Sequence, residues 1–467
     1  MNLELNKKDI IYFIGIAGIG MSGIALIMHE MGYLIEGSDN SSSGKILDKL
    51  KLKNIKVIKG HNSRRILNSG LVVISSAIKN NNPELKLAKK HNKIIIKRAD
   101  MLAHLLNLKK NIIVSGSHGK TTITSLISTI FREAKLYPTI INGGVINSLN
   151  SNASLGKSDW AIVEADESDG SFLKFKSIFS IVSNIDYEHM DYYKKFSNLK
   201  NKFFEFINNT PLLGKNFVCI DDKNVSEVIK KYKKRNYITY GFSKKANVQC
   251  CNLRYLNMMM IFDLKIKISN KTKKIKNITI NLIGKHNALN ATVAFIIAIF
   301  ANIKLEKIKK SLKNFAGVQR RLTLVFKDKK RLIFDDYAHH PTEIKAVLDA
   351  CHNNFKNRKI ITIFQPHRYS RVISLYEEFC KSFAKSDVVL LCPIYSAGEK
   401  SNQVDLKEFA RKISEKSNCE VIIIKNENEI EIFIKKNLLS DEIIIAMGAG
   451  SISSWIRKIS EKLKINE

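Results

Sequence analysis

Seven cysteines in 467 residues, at positions 219, 250, 251, 351, 380, 392 and 419, include no C-x-x-C pair. Such spacing supports neither a zinc site nor a dithiol redox motif, and reduced thiols in a cytosolic chain are expected. Long apolar runs are missing as well. The longest, Ala291 to Ala301, follows Asn287 and Asn290 and falls short of the roughly 20 residues that a membrane-spanning helix needs. The opening Met1-Asn-Leu-Glu-Leu-Asn-Lys-Lys-Asp9 lacks the charged, apolar, small order of a secretory leader. A soluble, cytoplasmic protein with no membrane insertion is expected. Acidic residues are scarce too, 43 Asp and Glu against 77 Lys and Arg, for a formal net charge of +34. The excess is chiefly Lys, scattered through helices and loops as solvated faces and not gathered into one stripe. No nucleic-acid partner is expected, although the field attracts anionic substrates in general. With 45% hydrophobic residues, the chain can build large cores and about three domains of ordinary size.

The chain is organised around Asn111-Ile-Ile-Val-Ser-Gly-Ser-His-Gly-Lys-Thr-Thr-Ile-Thr124. Ile112 to Val114 reads as a buried parallel strand. Ile123, Leu126, Ile127, Ile130 and Phe131 fall on one face of a helix. Between them, Gly116, Ser117, His118 and Gly119 form a glycine loop that lets backbone N–H groups approach phosphate oxygens at a helix N-terminus. Lys120 is placed to reach the β- and γ-phosphates, and the Thr121 or Thr122 hydroxyl to ligate Mg²⁺. Gly116 and Gly119 bracket two residues where the usual phosphate loop has four.

Upstream, a strand over residues 10–14 runs into Gly18-x-Gly20-x-x-Gly23, with Met21 and Ser22 inside the motif. A helical stripe and a second strand closing at Asp39 follow. By pattern alone this is a dinucleotide-binding unit, for which NAD or FAD is the first reading. Downstream, Glu164, Asp166, Glu167 and Asp169 follow directly on the strand beginning at Trp160. Carboxylates so crowded repel unless a cation relieves them, and hard oxygen ligands suit Mg²⁺. A further strand delivers Asn184-Ile-Asp-Tyr-Glu-His189, where the histidine sits among acids. Residues 210–280 alternate and are lysine-rich, which suggests β-hairpins on one edge. Beyond them, Asn287 reads as a helix cap. From Leu332 onward a doubly wound α/β pattern restarts, with polar loops after each strand. These loops carry Asp336, Tyr337, His339 and, after the next strand, Arg371.

Taken in order, G-I-A-G-I-G-M-S-G-I-A, G-S-H-G-K-T-T, E-A-D-E-S-D-G-S-F, N-I-D-Y-E-H-M-D, G-K-H-N-A-L-N-A, F-A-G-V-Q-R-R, D-D-Y-A-H-H-P-T-E and Q-P-H-R-Y-S-R resemble the motifs of the Mur ligase family over essentially the whole chain. The last two resemble its muramate–alanine branch. The resemblance implies an α/β fold of three domains: an N-terminal Rossmann-like UDP-binding domain (1–107), a central P-loop ATPase-type domain (108–317) and a C-terminal doubly wound Rossmann-like domain (318–467). It implies an ATP- and Mg²⁺-dependent carbon–nitrogen ligase acting on UDP-N-acetylmuramate and L-alanine through an acyl phosphate, in cytoplasmic peptidoglycan precursor synthesis. A sister activity, attaching a preformed peptide during wall recycling, is the alternative. The implied UDP-sugar contacts are Gly18, Gly20, Met21, Ser22, Asp39 and Ser75. Metal ligands are Thr121, Glu164 and His189, and a downstream lysine that could be carbamylated, Lys200 or Lys202, is left open. ATP contacts are the loop from Gly116 to Thr122 with Asn287, Asn290, Arg321 and Asp336. Tyr337, His339 and Arg371 are assigned to the amino acid. Lys120, Glu164, His189 and Arg321 are the implied catalytic set. The sequence departs from the family at Ala17, usually Gly, and at Leu322, usually Phe. A nicotinamide dehydrogenase would leave Lys120, Glu164 and His189 idle. A P-loop motor would leave the last two motifs unexplained.

Overall fold

β-Branched runs separated by amphipathic stretches become three sheets in the computed structural model, which describes residues 7–41, 44–75, 77–106, 109–232, 236–256, 258–268, 271–328, 331–356, 358–400, 404–437 and 441–465. The expected junction at 107–108, and Ser76 beside the expected UDP-sugar contact Ser75, lie outside these residues. No helix among the described residues is long and apolar enough to cross a membrane.

The first sheet holds β1 (Ile10–Ile14), β2 (Leu34–Asp39), β3 (Lys56–Lys59), β4 (Ser69–Ile74) and β5 (Ile94–Lys97), in the order β3-β2-β1-β4-β5. Every neighbouring pair is parallel. The order reverses between β1 and β4, the place where open α/β sheets bind ligands. The glycine turn after β1 leads into the helix Ile19–Glu30. Ala17 stays out of the left-handed region, so replacing the family's usual glycine costs the turn nothing.

The second sheet has ten strands: β6 (Lys110–Ser115), β7 (Thr139–Ile146), β8 (Ser151–Ser154), β9 (Trp160–Glu164), β10 (Phe179–Val182), β11 (Lys215–Cys219), β12 (Tyr237–Gly241), β13 (Val248–Leu256), β14 (Met259–Ile268) and β15 (Lys271–Ile280). They run β15-β14-β13-β12-β11-β10-β6-β9-β7-β8. β6 lies centrally, parallel to β9 and β10. The helix Lys120–Glu133 follows it and buries Ile123, Leu126, Ile127, Ile130 and Phe131 completely. Hairpins were expected throughout 210–280. Instead β11 and β12 are parallel, joined through the helix Lys223–Lys230, and the chain doubles back only from β13 onward. That helix buries Val225, Val228 and Ile229 at helical spacing, a short signal beside the alternating residues farther along.

One hydrophobic core runs from the first sheet into the second. Met21, Ile24 and Met28 share it with Ile141, Ala153 and Val163. The third sheet holds β16 (Thr323–Lys327), β17 (Leu332–Asp336), β18 (Ile360–Phe364), β19 (Val388–Leu391), β20 (Glu420–Ile423) and β21 (Ile443–Met447), in the order β16-β17-β21-β18-β19-β20. Only β16 is antiparallel to its neighbour, and both faces are covered by apolar clusters. The chain thus forms two compact units. Met1–Cys251, Asp263–Ile278 and Leu289–Ala316 make the first; Asn252–Phe262, Thr279–Ala288 and Gly317–Glu467 make the second.

Candidate active site

In the first unit the phosphate loop crowns the carboxyl end of β6. Gly116 and Gly119 both have positive φ, 129° and 87°, which glycine alone adopts without strain. The loop is clamped from the neighbouring strand's exit. Asn184 O accepts from Ser117 N–H at 3.1 Å and Asn184 Oδ1 from His118 N–H at 2.8 Å. Ser117 Oγ accepts from Asp186 N–H at 2.8 Å, and His118 Nε2 lies 2.9 Å from Asp186 Oδ2. Asn290 packs against Gly119, its Oδ1 2.9 Å from where a Cβ would stand. Asn287 belongs to the second unit, with its amide donating to Ile283 O at 2.8 Å.

Lys120 folds back over this loop. Its ammonium donates to Gly116 O (2.6 Å), Ser117 O (3.1 Å) and Glu167 Oε1 (2.9 Å). Burial alone would lower the lysine's pKa, but Glu167, Asp166 and Glu164 outweigh it and hold the ammonium above its usual range. Glu167 is fully buried. Burial pushes its carboxyl up to about 7 against the pull of Lys120. Its Oε2 receives no hydrogen bond, although it too lies 2.9 Å from the ammonium.

Asp166, Glu167 and His189 each bring one ligand atom within 4.8 Å of the others. Glu164, expected beside His189, is not in that group. Its carboxylate accepts instead from Gly143 N–H at 2.6 Å and from the Thr121 hydroxyl at 3.2 Å. Thr121 and Glu164 therefore meet at the helix start, and His189 meets Glu167 at 3.7 Å. Sequence reasoning saw Asp166 and Glu167 only as part of an acidic run, because alternation in a loop does not say which carboxylate turns inward.

At the first sheet's carboxyl edge, Gly18, Gly20, Met21 and Ser22 occupy the turn and first helical residues after β1. Asp39 turns back onto that turn and accepts from Ala17 N–H at 2.9 Å. Ser75 follows β4. A Cβ on Gly20 would meet the Arg98 guanidinium at 2.9 Å, a cation within reach of an anion held there.

In the second unit, the loops after β17, β18 and β19 converge. His339 Nδ1 lies 2.9 Å from Tyr337 O, and its ring is 5.9 Å from that of His367. His367 in turn stacks on Tyr395 at 5.6 Å. Arg371 reaches His367 Nδ1 at 3.1 Å. Arg320 and Arg321 cover the Tyr337 ring at 4.7 and 5.3 Å, and Arg321 is 3.8 Å from Glu343. Asp336 is buried, which raises its carboxyl to about 6 although Arg321 opposes the shift. It accepts from Leu322 N–H at 2.6 Å and Ala338 N–H at 2.7 Å. Tyr337, His339 and Arg371 thus share one cluster. His367, Tyr395, Arg320 and Glu343 join it unforeseen; the Q-P-H-R loop was the one signal that could have pointed to His367.

Burial lowers the His367 imidazole to about 4, helped by His339 and Arg371. Between about pH 4 and 6.5 the unfolded chain holds a proton here that the folded chain does not. Stability is therefore expected to rise with pH across that window. Denaturant midpoints measured at several pH values should show this rise, and His367→Gln should flatten it.

A lysine-closed glycine loop at the carboxyl edge of a parallel sheet, with carboxylates and an imidazole beside it, defines an α/β nucleotide-dependent enzyme. Three family models cover nearly the whole chain: Mur ligase family, catalytic domain, over residues 10–110, Mur ligase middle domain over 114–298, and Mur ligase, glutamate ligase domain, over 320–450. The chain belongs to the Mur ligase family. It is 48% identical, over 99% of its length and 100% of the relative's, to a UDP-N-acetylmuramate–L-alanine ligase of Pelagibacter ubique. It is 43% identical, over 100% of its length and 95% of the relative's, to one of Rickettsia typhi. Among solved structures, the UDP-N-acetylmuramate-alanine ligase of Thermotoga maritima superposes with a TM-score of 0.83 at 24% identity, covering 98% of this chain and 100% of that one. At that identity the likeness speaks for the three-domain fold alone.

Proposed function

We propose that this chain is an ATP-dependent ligase that joins L-alanine to the lactyl carboxyl of UDP-N-acetylmuramate, a step of cytoplasmic peptidoglycan precursor synthesis. The observation that carries the reading is the Lys120–Glu167 pair closing a G-x-x-G-K-T-T loop, in a chain 48% identical end to end to a relative of that name. In this reading residues 1–107 hold the UDP-sugar through Gly18, Gly20, Met21, Ser22, Asp39 and Ser75. Residues 108–317 hold ATP, and residues 318–467 hold the amino acid through Tyr337, His339 and Arg371. Asn287, Asn290, Arg321 and Asp336 complete the nucleotide contacts.

The lactyl carboxylate attacks the γ-phosphorus of ATP, and ADP leaves, giving an acyl phosphate. The neutral amine of alanine then attacks the acyl carbon; inorganic phosphate leaves, and the amine loses its proton to solvent or to a nearby base. Positioning and charge neutralisation supply most of such catalysis. Lys120 offers a permanent cation to the phosphates, and the loop N–H groups orient them. The donor set suits Mg²⁺. The buried Glu167 carboxylate stands with Asp166 and His189, its Oε1 3.7 Å from the His189 ring, while Glu164 meets Thr121. These residues would hold the ion, whose charge would offset that of the phosphates.

Phosphate release from ATP and Mg²⁺ is expected to require UDP-N-acetylmuramate and L-alanine together, with a matching mass gain in the UDP-sugar. Release only with a tri- or tetrapeptide would move the assignment to wall recycling. Arg371→Ala, which removes the fork offered to the amino acid's carboxylate, should raise the KM for alanine roughly a hundredfold and leave the KM for ATP unchanged.

A further inference from the structure

The edge of the second sheet opposite the phosphate loop carries a feature that ligation does not use. Pro211-Leu-Leu-Gly214 forms a tight turn into β11. Gly214 N–H donates to Pro211 O at 2.9 Å, Asn236 Nδ2 donates to the same oxygen at 3.1 Å, and Lys215 N–H donates to Ile178 O at 2.8 Å. The backbone is fixed from three sides, yet Leu212 and Leu213 are 77% and 94% exposed. Ile178, just before β10, adds a third apolar side chain at 37%. A turn asks for no leucine, and these two in succession bury little within this chain.

The surroundings are cationic. Lys215 follows the turn, Lys176 precedes Ile178, and Lys110 opens β6. Lys230 and Lys231 end the helix that returns from β11 to this same edge. Of the acids nearby, Asp159 is exposed, and Glu205 is paired with Lys202 at 2.7 Å. An apolar tip with lysines on the same sheet edge matches the layering of a bilayer interface, apolar below and phosphate above. These cations are lysines, point charges suited to headgroup phosphates, and not the guanidinium forks that read bases.

We propose that the 211–214 turn is a peripheral membrane contact: Leu212 and Leu213 enter the headgroup–acyl boundary of an anionic phospholipid bilayer, and the surrounding lysines bind its phosphates. The phosphate loop lies at the opposite edge of the same sheet, after β6 and about 20 Å away, so the contact leaves it open to solution. Such binding is reversible and spans nothing.

The full chain would be sedimented with phosphatidylglycerol vesicles and, separately, with phosphatidylcholine vesicles, at low and high salt. Binding to phosphatidylglycerol alone, weakened by salt, is expected. The double variant Leu212→Ser/Leu213→Ser should partition on the order of tenfold less, with its unfolding midpoint and its rate of phosphate release in solution unchanged. The proposal is overturned if the wild type ignores phosphatidylglycerol, binds phosphatidylcholine equally, or binds as well without its leucines. It is overturned also if those leucines drive self-association or polynucleotide binding in place of vesicle binding. Neither outcome bears on ligation, which is measured without lipid.

Discussion

Lys120→Met is expected to lower turnover by on the order of a thousandfold or more and to destabilise the first unit at the same time. The two losses have separate causes. The ammonium closes the loop by bonding Gly116 O and Ser117 O, and it is the only charge within 3 Å of both Glu167 oxygens that any described contact provides. Deleting it leaves a fully buried carboxylate without its counter-ion, a change that costs about 3–5 kcal/mol when the charge persists. Glu167 is already raised to about 7 by burial, so it will take up a proton instead, and the cost will shrink as pH falls. The double variant Lys120→Met/Glu167→Gln should therefore recover most of the urea midpoint and none of the turnover. Recovery of both would mean that Lys120 serves only to neutralise Glu167.

Gly116→Ala is expected to be the more damaging change to the fold. At φ 129° an alanine is strained, and its Cβ would stand 2.1 Å from Ser183 Oγ, 3.0 Å from Ser183 N and 3.1 Å from Asn184 O. Rotating Ser183 could move its hydroxyl aside, but the two tight backbone contacts would remain. A loss of about 4 kcal/mol or more is expected, from strain and overpacking together. Gly398 is the control. It has φ 85° with nothing within 4 Å of a Cβ, so Gly398→Ala should cost only about 1 kcal/mol. Equal losses at the two positions would show that conformation alone, and not the approach of Ser183, decides the effect. Chemical denaturation of both variants beside the wild type makes the comparison.

The strand, loop and helix at residues 111–131 are legible in the sequence because three independent signals agree there: a β-branched run, glycines where the backbone must turn, and an apolar stripe at helical period. The first and third sheets are legible on the same grounds. What stays hidden depends on tertiary contact. Asp39 is expected to contact the UDP-sugar, and its carboxylate also holds Ala17 N–H; the turn it steadies is adjacent in space and far in sequence. Glu164 and Glu167 look equivalent in E-A-D-E, yet one meets Gly143 on β7 and the other disappears beneath Lys120. No local pattern separates them. The imidazole of His367 acquires its depressed pKa from burial and from His339 and Arg371, neighbours supplied partly by another strand. The ten-stranded sheet exceeds what single-strand signals can show, since they fix no partner.

The core that the first two sheets share also bears on how this protein can be taken apart. Gly23 has only 3.2 Å between its would-be Cβ and that of Ala153, and Lys49 reaches across to the Ser151 hydroxyl. Met21, Ile24 and Met28 lie among Ile141, Ala153 and Val163. The first hundred residues are consequently no exchangeable cassette. Expressed alone they would present a raw apolar flank to water and aggregate, and a chimera that borrows a foreign nucleotide-sugar module would have to bring β7 and β8 along with it.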